Sequence, residues 1–147
     1  MSFLMAIPWR YALTCDAVTP SWLLMGLRKK SPIDFELVWL VSDARVLASA
    51  KLASSRRTRR RGLIGVQSID EALVLQPCRW IHTFGVLHAL DIAYLDQQGV
   101  VLHIQHIKPK RIGMPLWKAA TVIEATRGSL ERWNLNIGDL VEVRHVD

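Results

Sequence analysis

The sequence predicts a mainly β protein, a small antiparallel β-sandwich or barrel with two short helices. Short apolar segments recur with turn signals between them, as in DIAYL at residues 91–95 and VVLHIQHI at residues 100–107. These two segments predict a hairpin, because the residues between them end in Gly99, which tolerates the backbone of a tight turn. Parallel strands would need long helical connections, and the sequence predicts only short helices.

The first half of the predicted domain contains three further strands and one helix. Residues 35–41 and residues 45–53 predict a hairpin, and residues 72–76 predict a short apolar strand. Between them, SSRRTRRRGLIG at residues 54–65 predicts a short helix. Ser54 or Ser55 is suited to cap its start, and a glycine at position 62 or 65 is suited to end it.

The end of the chain supplies the remaining elements. Residues 108–117 are loop by composition, and AATVIEA at residues 119–125 predicts a strand. Ser129 is expected to cap a short helix over residues 130–135. Residues 140–146 predict the last strand.

Length and composition predict one globular domain preceded by an extension. The chain has 147 residues, of which 50% are hydrophobic and 22% charged. We assign the single β domain to residues 36–147. Residues 1–35 contain three prolines that interrupt regular structure, so we predict a loosely structured extension there. Its segment SWLLMGLRKK at residues 21–30 leaves peripheral membrane contact open.

The excess of positive over negative charge is confined to one segment. Residues 26–66 carry ten Lys or Arg and three Asp or Glu, whereas residues 67–147 carry eight and nine. This distribution disfavours an evenly basic nucleic-acid surface and predicts a local basic feature. Two cysteines and the lack of a clear signal peptide favour the cytoplasm over export.

The basic feature is the arginine run of the predicted helix. A guanidinium group can bind phosphate through two parallel hydrogen bonds, so the run is a candidate anion-binding site. The alternative is a helix face that water solvates. The candidate residues are Arg56, Arg57, Arg59, Arg60 and Arg61.

A second candidate site lies in PCRWIHTFGVLHALDIAYLD, residues 77–96, where polar and core residues are most densely mixed. Alternation predicts one face for Trp80, His82 and Phe84 and the opposite face for the residues between them. We expect His82 and Asp91 to approach within hydrogen-bonding range. Structural alternatives are a half-buried His82 that donates to a backbone carbonyl and a buried thiol at position 78. The candidate ligand-binding residues are Cys78, His82, Thr83 and Asp91.

Several motifs resemble the uncharacterised bacterial and archaeal family DUF192, also called UPF0127. The match includes P-C-x-x-I-H-T-F-G at residues 77–85 and the segment from Asp91 to Asp96. It also includes R-x-R-G-L-x-G at residues 59–65 and R-W-x-L-x-x-G-D-x-V-E-V at residues 132–143. The whole resemblance extends over residues 37–145. The resemblance implies a small β-sandwich or barrel and no settled activity.

The chain departs from the family pattern at three positions. Val66 replaces an arginine, so no role of that arginine is carried over. Val86 and Ala89 stand near positions where the pattern has methionine and proline. The shape of the loop that holds them is therefore not implied by the resemblance.

Our leading functional hypothesis is a non-catalytic binding module for a small polar ligand or peptide. One alternative is an enzyme that uses His82 and Asp91 as an acid/base pair. Another is a protein that binds a polyanion or an anionic membrane through Arg56 to Arg61. Cysteine and histidine spacings match no standard zinc site, and no glycine-rich nucleotide motif is present, so we expect no metal and no cofactor.

Overall fold

The computed structural model describes residues 35–146, which form seven strands and two short helices. The predicted extension lies outside the described residues except for Phe35, and so does the segment 21–30 for which membrane contact was left open. No helix within residues 35–146 is long and apolar enough to cross a membrane. The mainly β prediction is confirmed. The elements are β1 Glu36–Ser42, β2 Arg45–Ala53, α1 Arg56–Arg61, β3 Ala72–Leu75, β4 Leu90–Leu95, β5 Val101–Ile107, β6 Thr121–Thr126, α2 Ser129–Arg132 and β7 Glu142–His145.

The strands form one sheet in the order β5-β4-β6-β3-β2-β1-β7. Neighbouring strands are antiparallel, with β2 and β3 as the one parallel pair within the described residues. Residues 54–71 make the crossover that a parallel pair requires, and they contain α1. The sheet is not closed, although a bridge between Val100 and Leu140 joins the segments that precede β5 and β7.

The sheet carries a hydrophobic core on each face. One core contains Val74 and Ile123 and packs against Leu130 of α2. The other contains Tyr94 and Val122, with apolar side chains from the segments around α1 and after β3. Because β4 and β6 lie side by side in the interior of the sheet, β4 is buried throughout and β6 is buried from residue 121 to residue 125.

Helix α1 begins and ends as its sequence predicts. Ser55 is the N-cap, and its side chain accepts a hydrogen bond of 3.1 Å from the backbone N–H of Thr58. Thr58 is the buried residue of the helix, and Gly62 ends it with a positive φ of 47°. Arg59 donates to the carbonyl oxygens of Ser54 and Gln76, the latter at 3.2 Å. These contacts fix the helix beside the segment that follows β3.

Helix α2 is capped by a distant residue and not by Ser129 as expected. Gly128 occupies the N-cap position with a φ of 85° and has no side chain to cap the helix. The carboxylate of Asp91 in β4 accepts hydrogen bonds from the backbone N–H groups of Gly128 at 2.8 Å and Leu130 at 3.3 Å. The Ser129 hydroxyl is hydrogen-bonded to Thr126 instead. Asp91 therefore joins α2 to the centre of the sheet.

Replacement of Asp91 by alanine should strongly destabilise the fold. The side chain is fully buried, and Asp91→Ala would leave two backbone N–H groups and the imidazole of His106 without their acceptor. We expect urea denaturation to show a loss of roughly 3 kcal/mol in the free energy of unfolding, since buried donors left unpaired are costly. The exposed carboxylate of Glu131 in α2 is the matched control, and Glu131→Ala should cost less than about 1 kcal/mol. Equal losses in the two variants would contradict the capping role.

Candidate functional site

A cavity of about 360 Å³ lies between α1, the segment after β3 and the face of β6. Leu63, Ile81 and Val86 contribute apolar surface to its lining. The polar part of the lining combines guanidinium, thiol, imidazole and carboxyl groups. These groups belong to Arg56, Arg59, Arg60, Arg61, Cys78, His82 and Glu124.

The cavity joins the two candidate sites that the sequence indicated separately. Four of the five predicted arginines line it, as do Cys78 and His82. Arg57, Thr83 and Asp91 do not line it. The arginine run and the stretch after β3 thus meet across one space.

The structure does not bring His82 and Asp91 together. Strand pairing places His106 of β5 opposite Asp91, and its Nδ1 lies 2.6 Å from Asp91 Oδ1. His82 forms a backbone bridge with Ile112, and its exposed ring packs against Phe84 with 5.6 Å between ring centroids. The expected pair is therefore corrected to Asp91 with His106, and the acid/base hypothesis loses its geometric basis.

Thr83 holds two loop segments together. Its buried hydroxyl donates to the carbonyl of Lys108 at 2.7 Å and accepts from the backbone N–H of Arg111 at 2.9 Å. Its own N–H donates to the carbonyl of Arg111 at 2.8 Å. The predicted alternation of residues 80–84 is confirmed, because Ile81 and Thr83 are buried while the residues on the other face are exposed. Thr83 therefore positions the segment that carries His82.

The arginines of the cavity keep their charge available. Within residues 35–146, no acidic side chain forms an ion pair with Arg56, Arg59, Arg60 or Arg61. Arg59 is half-buried and uses part of its guanidinium on two backbone carbonyls. Four positive groups therefore border the cavity, and no carboxylate of residues 35–146 forms an ion pair with them.

The floor of the cavity contains a residue that sequence reasoning missed. Glu124 lies in the middle of β6, between its Cα partners Leu73 in β3 and Ile92 in β4. It is 4% exposed, and no described residue makes a hydrogen bond or an ion pair with its carboxyl group. Burial raises the pKa of Glu124 to about 7. A lone carboxyl in the apolar segment AATVIEA was the available signal.

The thiol of Cys78 is not poised for nucleophilic attack. The side chain is half-buried and donates to the carbonyl of Trp80 at 3.3 Å. Burial is the largest influence and raises the pKa of the Cys78 thiol; the hydrogen bond to Trp80 lowers it, the charge of Glu124 raises it and the charge of Arg59 lowers it by smaller amounts. The nucleophilic form of cysteine is the thiolate, and these effects disfavour it.

Tyr94 is a further buried polar residue, and it belongs to the core on this face of the sheet. Its hydroxyl is buried and has no hydrogen-bond partner in the described residues. Burial, with smaller contributions from Cys78 and Glu124, raises the pKa of Tyr94 to about 12.

No group of three or more His, Cys, Asp or Glu side chains within residues 35–146 is arranged to hold a metal ion. The lining therefore provides cationic and hydrogen-bonding groups.

The raised pKa of Glu124 makes stability depend on pH. In the unfolded chain the carboxyl ionises near pH 4.5, and in the folded protein near pH 7. The stabilisation that depends on a neutral Glu124 is therefore fully present below pH 4.5, and it is lost as the pH rises to about 7. Glu124→Gln has no ionisable group at this position and does not show this loss. The difference in the free energy of unfolding between Glu124→Gln and the wild type should therefore be larger above pH 7 than at pH 4.5, by on the order of 3 kcal/mol.

Urea denaturation at pH 4.5, 6 and 8 would measure this difference. The exposed residue Glu131 provides a control, because Glu131→Gln should show no comparable change with pH. A Glu124→Gln variant whose stability relative to the wild type is the same at all three pH values would show that Glu124 ionises normally.

Comparisons with known proteins agree with this fold and with the sequence motifs. A UPF0127 protein of Thermococcus sibiricus is 30% identical over 98 residues, which are 63% of this chain and 64% of that protein. A UPF0127 protein of Pyrococcus horikoshii is 34% identical over 62 residues, which are 42% of this chain and 54% of that protein. The chain thus spans less than two thirds of the length of either relative.

A solved structure shares the fold at low sequence identity. It is the crystal structure of a protein of unknown function from Novosphingobium aromaticivorans, 18% identical, with a TM-score of 0.64 over 78% of this chain and 89% of that chain. The family model of DUF192, described as Uncharacterized ACR, matches residues 37–143. This match confirms the family that the motifs at residues 59–65, 77–85 and 132–143 indicated. The chain belongs to the DUF192 family.

Proposed function

We propose that the protein is a non-catalytic binding module for a small anionic ligand, which it holds in the arginine-lined cavity. The observation that carries this proposal is the position of Arg56, Arg59, Arg60 and Arg61 around one cavity, with no described carboxylate paired to them. Arginine is suited to phosphate, sulfate and carboxylate groups, because its planar fork can donate two parallel hydrogen bonds.

The size and lining of the cavity favour a small ligand. Its volume of about 360 Å³ falls in the range of sites for small molecules, roughly 300–1,000 Å³. Leu63, Ile81 and Val86 offer apolar contact to the body of a ligand, while the arginines attract its charged group. The ligand class is therefore a small molecule that carries an oxyanion.

Binding without catalysis is favoured by the state of the other polar groups. Burial raises the pKa of the Cys78 thiol and so disfavours its thiolate, and His82 has no carboxylate partner among the described residues. A nucleophile activated by a neighbouring base is thus missing from the described part of the chain. The function proposed is recognition of the anion.

A second candidate is association with an anionic membrane surface. The side chains of Trp80, Phe84 and Trp117 are 52%, 50% and 78% exposed. They lie in segments 79–88 and 108–118, which carry five Lys or Arg and no acidic residue. Exposed aromatic side chains beside basic residues suit the surface of an anionic bilayer.

Loss of two cavity arginines should weaken anion binding. The probe is sulfate. Its binding at pH 6 is measured from NMR chemical-shift changes, with the ionic strength held constant by chloride. We expect the double variant Arg56→Gln/Arg60→Gln to bind sulfate at least about tenfold more weakly, because the loss of even one charge-assisted hydrogen bond costs about 1.5–3 kcal/mol. The shifted resonances of the wild type should belong to residues that line the cavity.

The chain offers a matched control on the same helix. Arg57 belongs to α1 but does not line the cavity, so Arg57→Gln should retain most of the affinity for sulfate. An equal loss in Arg57→Gln would indicate general attraction to a basic surface and would contradict the proposal. The second candidate predicts that sulfate leaves the cavity resonances unchanged, while the protein sediments with phosphatidylserine vesicles and not with phosphatidylcholine vesicles.

A further inference from the structure

The two buried carboxyl groups of the sheet differ in their surroundings. Asp91 has a partner for each oxygen, with His106 and the N–H groups of Gly128 and Leu130 in hydrogen-bonding range. Glu124 is 4% exposed, and its carboxyl group makes no hydrogen bond or ion pair with a described residue. Buried polar groups in folded proteins are almost always satisfied, so an unpartnered one calls for an explanation.

The explanation lies in what Glu124 faces. Its side chain belongs to the lining of the cavity, so a molecule in the cavity can reach its carboxyl group. In its neutral form a carboxyl group has an O–H that can donate a hydrogen bond, whereas the ionised form can only accept. An anion beside an ionised carboxylate in a poorly solvated site would be repelled. The neutral form is therefore the one that complements an anion held by the arginines.

We propose that neutral Glu124 donates a hydrogen bond to the bound anion, so that the cavity takes an oxyanion with acceptor atoms directed both to the arginines and to the floor. This inference rests on the anion site proposed above and deepens it. Phosphate, sulfate and carboxylate groups share the required acceptors. When Glu124 ionises, the donor is lost and the anion meets a like charge.

The other charged and titratable groups around Glu124 come from three elements. Helix α1 contributes the four cavity arginines, which stay charged throughout the neutral pH range. The segment after β3 contributes Cys78 and His82, and β4 contributes Tyr94. A protonated imidazole in this lining would also attract an anion. The test must therefore separate Glu124 from His82.

Sulfate serves as the probe because it remains a dianion throughout the pH range used. Titrations followed by NMR would give its affinity for the wild type, Glu124→Gln and His82→Gln between pH 5.5 and pH 8.5. The wild type should bind sulfate about tenfold more weakly at pH 8 than at pH 6, since the neutral fraction of a group with a pKa of about 7 falls by that factor. His82→Gln should retain this decrease, whereas Glu124→Gln should bind with nearly constant affinity because its amide still donates.

Proton uptake gives a second test that needs no change at Glu124. Calorimetry of sulfate binding to His82→Gln at pH 8, in buffers with different heats of ionisation, should show uptake of about one proton per sulfate. The inference is overturned if no proton is taken up, if Glu124→Gln keeps the decrease of the wild type, or if His82→Gln removes it. In each of these cases the anion site itself stands, provided that Arg56→Gln/Arg60→Gln weakens binding. If the wild type binds no sulfate at any pH, both proposals fail.

Discussion

The burial of β6 on both faces is the constraint on which the rest of the site depends. The strand lies between β4 and β3, and its residues 121–125 are excluded from water. Alternation sends Ile123 and Ala125 into one core, while Val122 and Glu124 face the other. A carboxyl group in such a position must be neutral, paired or in contact with a cavity. Glu124 has no partner among the described residues and contacts a cavity.

The segments that cover the Glu124 face of β6 are held in place by hydrogen bonds to backbone carbonyl groups. Arg59 ties α1 to the carbonyl of Gln76, and the N–H of Cys78 donates to the carbonyl of Ala120 just before β6. Farther along, Gly113 donates to the carbonyl of Ile81 at 3.0 Å, which pairs the segment that carries His82 with the loop before β6. The cavity walls are therefore positioned by the fold, and Arg56, Arg60 and His82 line the cavity from these fixed segments.

Local patterns in the sequence were sufficient to predict the strands, the helices and the part of the site that α1 and the segment around His82 form. The hairpins, the capped arginine helix and the alternation around His82 depend on neighbouring residues, and the structure confirms them. The partner of Asp91 depends on strand register, which places His106 and not His82 beside it. Glu124 is buried because β6 lies between β4 and β3 in the sheet. That strand order arises from contacts between residues far apart in the chain. Sequence periodicity carries no information about such an order.

The most direct measurement of the central claim is a ¹³C NMR titration of the Glu124 carboxyl carbon, with and without sulfate. The account predicts a midpoint near pH 7, well above the ordinary value of 4.5, because burial penalises the charged form. Saturation with sulfate should move the midpoint to higher pH, since the anion binds the neutral form. A midpoint near pH 4.5, or one that sulfate leaves unchanged, would contradict the claim that a buried, neutral Glu124 recognises the bound anion.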